Sequence, residues 1–133
     1  MIFLTKREFI AINQLVISRS DSELLGVQYP QGLDIVVKQP RQVLFGQELY
    51  PNIWLKAAFI IQKVTKKHIF ADGNKRTAII AGVTFLEANG YKLDFTAEAG
   101  ESLILSVTNS PDNDRIMLTL AEWLKRHCIN INK

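Results

Sequence analysis

Cysteine and histidine are scarce in this chain of 133 residues, which contains one cysteine and two histidines. Because Cys128 has no second cysteine to pair with, an intrachain disulfide framework is excluded. So few thiol and imidazole groups also argue against a structural zinc site. The length is that of one ordinary domain, which buries about two-thirds of the surface that its unfolded chain exposes. We therefore predict a single domain over residues 1–133 that needs no covalent staple.

Long apolar runs are also missing. Polar residues break every apolar stretch before about eighteen positions, which is too short for a helix that crosses a bilayer. Residues Met1–Leu4 have neither the positive region nor the apolar core of a secretory leader. No internal repeat or low-complexity segment is present. These absences predict a soluble protein of the reducing cytoplasm, with no membrane contact.

The charge is nearly balanced, with a formal net charge of +3 from 16 basic and 13 acidic residues. No recognised motif for reading nucleic acid is present, so nucleic acid is not the expected partner. Five cations nevertheless lie in one short span: Lys63, Lys66, Lys67, Lys75 and Arg76. They are either a solvated helix end or a surface that attracts a nucleotide or an acidic protein.

Helical periodicity dominates the rest of the chain. Thr5 and Glu8 form a capping box, which predicts a helix to about Ser18. A loop from Ser18 to Gly32 follows, in which Gly26, Pro30 and Gly32 are interpreted as helix breakers. Five further helices are predicted at about Leu33–Lys38, Pro51–Lys67, Asn74–Asn89, from the cap Thr96 to Asn109, and Asp112–His127. Residues Tyr91–Phe95 alternate as in a brief strand. The predicted fold is all-α, a compact bundle of about six helices that can include a short β element.

The apolar stripes of these helices predict the core. The helix that starts at Pro51 turns one set of residues inward, namely Ile53, Ala57, Ile60, Ile61 and Val64. The segment Ala78–Leu86 is apolar nearly all round a helix, which is typical of a buried central helix.

The run His68–Arg76 concentrates polar chemistry immediately before that buried helix. A helix N-terminus has unpaired backbone N–H groups and a partial positive charge, and Lys75 and Arg76 add two full charges. Gly73 allows a backbone conformation that exposes successive N–H groups, and Asn74 is a suitable N-cap whose amide can also donate to phosphate. The run therefore indicates an anion site, most naturally for phosphate.

Three other residues of the run suggest further roles. Asp72 is a hard oxygen ligand suited to Mg²⁺ that bridges phosphates. His68 carries an imidazole, the side-chain group best suited to removing a proton from a hydroxyl group near neutral pH. Phe70 is interpreted as an anchor for the loop. The alternative is structural: Asp-Gly-Asn is ordinary turn chemistry, and the histidine and cations can be solvated surface groups.

With these residues in view, His68-Ile69-Phe70-Ala71-Asp72-Gly73-Asn74-Lys75-Arg76 resembles the Fic/Doc superfamily. The pattern of that superfamily reads His-x-Phe-x-(Asp/Glu/Asn)-(Gly/Ala)-Asn-(Gly/Lys)-Arg. The motif with lysine at position 75 resembles that of the Doc branch, the death-on-curing toxins of type II toxin–antitoxin systems. The resemblance extends to Leu4–Lys6, Phe45–Pro51 and Phe85–Tyr91. It implies a Fic/Doc-type helical bundle, in which residues 43–50 form a flap over a nucleotide cleft.

The two branches of the superfamily imply different reactions. AMP-transferring Fic enzymes have Gly where this chain has Lys75 and a second Arg where it has Ile79, which cannot hold a phosphate. Resemblance to the Doc branch implies a kinase-like phosphotransferase that uses ATP and Mg²⁺. Its expected target is a threonine of the translation elongation factor that delivers aminoacyl-tRNA, so translation would stop. The alternatives are AMP transfer to a protein hydroxyl and a non-catalytic nucleotide-binding module.

The resemblance also implies a protein partner. An enzyme that blocks translation is toxic when free, so a cognate antitoxin is expected. A disordered antitoxin segment that folds into a groove near the cleft would bind by coupled folding.

Overall fold

The computed structural model describes residues 1–131. This part of the chain forms six α-helices, α1 (Lys6–Ser18), α2 (Pro30–Lys38), α3 (Ile53–Lys66), α4 (Asn74–Ala88), α5 (Ala97–Asn109) and α6 (Asp114–Arg126), with a 3₁₀ turn at Gln39–Arg41. It also has two antiparallel strand pairs, β1 (Val43–Leu44) with β2 (Gln47–Glu48) and β3 (Tyr91–Leu93) with β4 (Cys128–Asn130). The predicted mainly helical bundle of about six helices is confirmed. No helix within residues 1–131 is long and apolar enough to cross a membrane.

Helices α3 and α4 form the centre of the molecule. α3 packs against α4, α6, α2 and α5, and α1 covers another side of α4. Every residue predicted to face inward from α3 is buried. Gly82 lies where α3 and α4 meet, because a Cβ added there would be 2.6 Å from the Ile61 side chain. α4 is central, as predicted, but it is buried along one face rather than nearly all round, and Ile80 is 36% exposed. The buried residues of α4 are Thr77, Ala78, Ala81, Gly82, Phe85 and Leu86.

Capping residues fix where the helices begin. The Thr5–Glu8 capping box is present at α1, and Thr96 caps α5 by accepting a hydrogen bond from the Ala99 N–H. The predicted starts of three other helices were wrong by two or three residues. α2 begins at Pro30 rather than Leu33, because proline at the first helical position has no N–H to leave unpaired. α3 and α6 begin one residue after the asparagine that caps each of them.

The predicted strand after α4 exists as β3. Its partner β4, which the sequence pattern did not reveal, follows α6 and pairs Leu93 with Cys128. Burial raises the pKa of the Cys128 thiol to about 11. The β3–β4 pairing joins the segment after α6 to the segment after α4.

Residues Val43–Glu48 form an exposed hairpin whose turn residues, Phe45 and Gly46, have φ of 51° and 77°. The Phe45 side chain is 98% exposed. A buried ammonium group holds the base of the hairpin: Lys56 Nζ donates to Pro40 O at 2.9 Å, to Glu48 Oε1 at 3.1 Å and to Tyr50 O. All three donors of this buried lysine are therefore satisfied.

Candidate active site

The site begins where α3 ends, at His68. α3 is closed by Lys67, and His68 follows with φ of 50°, in the left-handed region that glycine or asparagine usually occupies after a helix. A non-glycine residue there costs of order 1–3 kcal/mol. The His68 side chain is exposed and lines a groove of about 330 Å³. All the residues predicted for the site line this same groove, namely His68, Asp72, Gly73, Asn74, Lys75 and Arg76.

The loop after His68 is held by backbone pairing with a segment before α2, residues 26–29. An isolated antiparallel bridge joins Val27 to Phe70, and the N–H groups of Gln28 and Tyr29 both donate to Ile69 O, at 2.9 and 3.0 Å. Phe70 is 1% exposed, which confirms it as an anchor. Sequence reasoning treated residues 26–29 only as loop, since a single bridge has no periodicity to detect.

The predicted role of Asn74 as an N-cap was wrong. The cap position of α4 is Gly73, with φ of 74°, and Asn74 is the first helical residue. Its side chain instead pairs with the backbone of Phe70: Oδ1 accepts from the Phe70 N–H at 2.9 Å, and Nδ2 donates to Phe70 O at 2.9 Å. In sequence, an asparagine that caps a helix cannot be distinguished from one whose amide pairs with the preceding loop. Here its amide closes the loop as a strand partner would.

The start of α4 is left without a cap. Gly73 has no side chain to offer, and the first backbone hydrogen bond of the helix runs from the Thr77 N–H to Gly73 O at 2.9 Å. The N–H groups of Asn74, Lys75 and Arg76 make no hydrogen bond to any residue in the described part of the chain. Lys75 and Arg76 are exposed, and neither pairs with a described carboxylate. Unpaired donors and two cations at a helix start create an uncompensated positive potential, which suits an anion.

Asp72 stands beside this helix start with an exposed carboxylate. Its pKa is lowered first by a hydrogen bond with the Ser22 side chain and then by the Gly73 N–H, which donates to Oδ1 at 2.8 Å. Asp72 is therefore ionised at neutral pH. Within residues 1–131 no group of three or more metal-ligating side chains occurs. A lone carboxylate fits Mg²⁺, which keeps several waters and takes further ligands from phosphates.

Helix α1 lies beneath the loop. A Cβ added to Gly73 would be 3.0 Å from the side chains of Val16 and Ile17, so the loop rests directly on this helix. Asn13 of α1 donates from Nδ2 to Asp72 O at 2.9 Å and to Thr77 Oγ1 at 3.2 Å. Sequence reasoning missed Asn13, because one asparagine in a helical pattern carries no signal of where its amide points.

The five clustered cations separate in the structure. Lys63 pairs with Asp112, and Lys66 donates to Thr108 O at 2.8 Å, so both tie α3 to its neighbours. Only Lys75 and Arg76 of the five line the groove. Arg76 also lines a polar hollow of about 490 Å³ toward the end of α1 and an apolar groove of about 400 Å³ between α4 and α5. No residue of the β1–β2 hairpin lines these surfaces, so the flap over the cleft stays a prediction.

Fold and site together define a mainly helical protein whose central helix starts without a side-chain cap beside a groove lined by His68, Lys75 and Arg76. Residues 3–86 match the family model described as Fic/DOC family. The chain is also 41% identical over 92 residues to Toxin Doc of Mycolicibacterium smegmatis (strain ATCC 700084 / mc(2)155), an alignment that covers 67% of this chain and 71% of that protein. This chain belongs to the Fic/DOC family, as the resemblance of its motif predicted.

Proposed function

We propose that this protein is a Doc-type toxin that transfers the γ-phosphoryl group of ATP to a hydroxyl group of another protein. The observation that carries the proposal is the uncapped start of α4, where three N–H groups and two cations without a partner among residues 1–131 adjoin the groove lined by His68. The charges of a triphosphate match this arrangement. The similarity to the Mycolicibacterium smegmatis Toxin Doc supports a toxic activity.

In the proposed reaction, Lys75, Arg76 and the N–H groups at the start of α4 hold the phosphate oxygens. The target hydroxyl oxygen bonds to the γ-phosphorus, and the bond from that phosphorus to the oxygen bridging to the β-phosphate breaks, so ADP leaves with the bridging oxygen. His68 accepts the proton of the hydroxyl group, a role that typically contributes about 10²–10⁴ in rate. Phosphoryl transfer depends mainly on positioning and charge stabilisation, for which so compact a site is sufficient.

Asp72 is the residue that would hold Mg²⁺ against the phosphates. Its exposed carboxylate, with the lowered pKa described above, supports this assignment. When bound, the ion would neutralise charge on the phosphate oxygens.

Phosphoryl transfer is favoured over AMP transfer by two residues. Lys75 lines the groove as a bulky cation where the AMP-transferring branch resembled by the motif has glycine. Ile79, one turn further along α4, faces the apolar groove where that branch has a second arginine. The proposed acceptor is a threonine of the elongation factor that delivers aminoacyl-tRNA, which places the activity in the cytoplasm.

A cognate antitoxin completes the proposal. The apolar groove between α4 and α5 begins beside Lys75 and Arg76 and has a volume of about 400 Å³. An antitoxin segment that folds there would lie next to the phosphate site and block it.

Labelled ATP tests the reaction. The purified chain is incubated with cell extract, and then with purified elongation factor, using ATP labelled at either the α or the γ position. We expect label on the elongation factor from the γ position only, because Lys75 and Ile79 disfavour AMP transfer. The matched control is His68→Ala, which should remain folded and lose at least about 10²-fold in rate.

The other outcomes are equally informative. Equal labelling from the α position would show AMP transfer and reject the kinase assignment. A folded protein that binds ATP but transfers no label from either position would be a non-catalytic module.

A further inference from the structure

Asn13 is one of the few polar side chains buried within residues 1–131. It lies in the middle of α1, is 2% exposed, and shares its helix face with the buried residues Phe9, Val16 and Ile17. Asparagine is a poor residue for a helix interior, and an aliphatic side chain would serve both the helix and the core better. A buried amide at this position therefore needs an explanation outside α1.

The hydrogen bonds of Asn13 supply that explanation. Its Nδ2 group donates to Asp72 O at 2.9 Å and to Thr77 Oγ1 at 3.2 Å, partners 59 and 64 residues away in sequence. Asp72 O lies at the end of the loop, and Thr77 belongs to the first turn of α4. The amide thus joins α1 to both sides of the helix start.

Two hydrogen bonds, one of them from Asn13, hold the Asp72–Gly73 peptide unit at both of its polar ends. The carbonyl of the Asp72–Gly73 peptide accepts from Asn13, and the N–H of the same peptide donates to the Asp72 carboxylate at 2.8 Å. Because a peptide unit is planar, holding both of its polar ends fixes its orientation. That orientation determines the left-handed φ of 74° at Gly73, and so the direction in which the following N–H groups point.

We infer that Asn13 is a positioning residue for the phosphate-binding loop, which it aligns by holding the Asp72–Gly73 peptide. The inference rests on the proposed function only where that function identifies the start of α4 as the phosphate site. Asn13 is buried beneath the loop and acts through the peptide, without touching the ligand.

Two nearly isosteric substitutions separate positioning from packing. Asn13→Asp puts a carboxylate oxygen opposite Asp72 O, which can only accept, while the Thr77 hydroxyl can still donate to it. Thr77→Val removes the other hydrogen bond and leaves the bond to Asp72 O. Thr77 is fully buried, so this variant is a matched control for loss of stability.

The probe is inorganic pyrophosphate, titrated against each folded variant while the backbone amide signals of Gly73 and Lys75 are followed by NMR. We expect Asn13→Asp to weaken pyrophosphate binding at least about tenfold, which corresponds to about 1.4 kcal/mol. Thr77→Val should bind within about twofold of the unmodified protein, although it melts at a lower temperature. If Asn13→Asp does not fold, Asn13→Ala takes its place, because it also leaves Asp72 O without its donor.

Equal pyrophosphate affinity in the Asn13 variants and the unmodified protein would overturn the inference and leave the proposed function standing. An unmodified protein that binds no pyrophosphate would overturn both. Pyrophosphate binding that depends on Asn13, in a protein that transfers no γ-label, would support the inference and reject the proposed kinase activity.

Discussion

At the scale of single residues, His68 combines an unfavourable backbone with a reactive side chain. Its φ of 50° places the Cβ close to the following carbonyl, a conformation that glycine adopts without penalty. A glycine would therefore end α3 more comfortably. The His68 side chain lines the groove. The proposed role of its imidazole group as a base would explain why a histidine stands at this position.

This conflict gives opposite effects on stability and activity. His68→Gly and His68→Ala should both lose phosphoryl transfer, since neither has a base. The glycine variant should melt above the alanine variant by about 3 °C, because alanine retains a left-handed penalty of roughly 1 kcal/mol. Thermal melting without nucleotide measures the difference. A glycine variant that melts lower would show that His68 does not have this backbone conformation in solution.

The chemistry of individual residues was predictable where the side chain itself is the signal. Asp72, Lys75 and Arg76 carry charge, and the structure brings them together at one groove as predicted. Asn74 was misassigned, because its amide makes equally good hydrogen bonds as a cap or as a loop closure. Asn13 was not found at all, since its partners lie about sixty residues away and only folding brings them near.

At the scale of secondary-structure elements, α1 packs directly against the loop before α4. Gly73 is the point of closest approach, as an added Cβ would be 3.0 Å from both Val16 and Ile17. The glycine is thus needed twice, for its positive φ and for the space it leaves. Because Gly73 has no Cβ, α1 and the loop before α4 can pack closely although they are distant in sequence.

Substitution of two glycines with nearly equal φ separates those two needs. Gly73→Ala (φ of 74°) should destabilise the protein more than Gly46→Ala (φ of 77°), because nothing lies within 4 Å of a Cβ at Gly46. The backbone penalty of roughly 1–2 kcal/mol is common to both variants. Urea unfolding of the two gives the packing contribution as their difference. Equal losses would mean that α1 does not contact the loop closely.

The elements themselves were largely predictable from local signals. Capping at Thr5 and Thr96 and the apolar stripe of α3 correspond to the helices observed. β4 escaped prediction because three residues cannot show periodicity and its pairing depends on β3. The start of α2 was misplaced because Pro30 was interpreted as a helix breaker, whereas proline also fits the first helical turn.

At the scale of the whole molecule, the β3–β4 pair links the last helix to the centre. Cys128 lies in this pair, half-buried, and burial raises its thiol pKa to about 11. The fold as a whole, rather than a neighbouring charge, keeps this thiol protonated. Cys128 therefore reports on the integrity of the bundle.

Alkylation by iodoacetamide should reveal this protection. Because only the thiolate reacts, the rate in the folded protein should keep rising with pH up to about 11. In urea, the rate should level off above the pKa of a free thiol, about 8.5. Mass spectrometry at several pH values measures both profiles, and the free Cys peptide is the control. A folded-state profile that levels off near 8.5 would show that this end of the bundle is open.

Only part of the global arrangement was accessible from the sequence. Periodicity and motif indicated a helical Fic/Doc-type bundle, which the structure confirms. How α1 and residues 26–29 surround the loop depends on long-range contacts that no local pattern encodes.

Under the proposed function, the uncapped start of α4 would couple folding to the supply of phosphate compounds. The first N–H groups of this helix lack acceptors when no ligand is bound. An anion that binds there accepts their hydrogen bonds and raises the free energy of unfolding. At a ligand concentration 100 times its Kd, this gain is about 2.7 kcal/mol. In a cell rich in nucleotides, the proposed substrate would thus lower the fraction of chains that are unfolded at any moment.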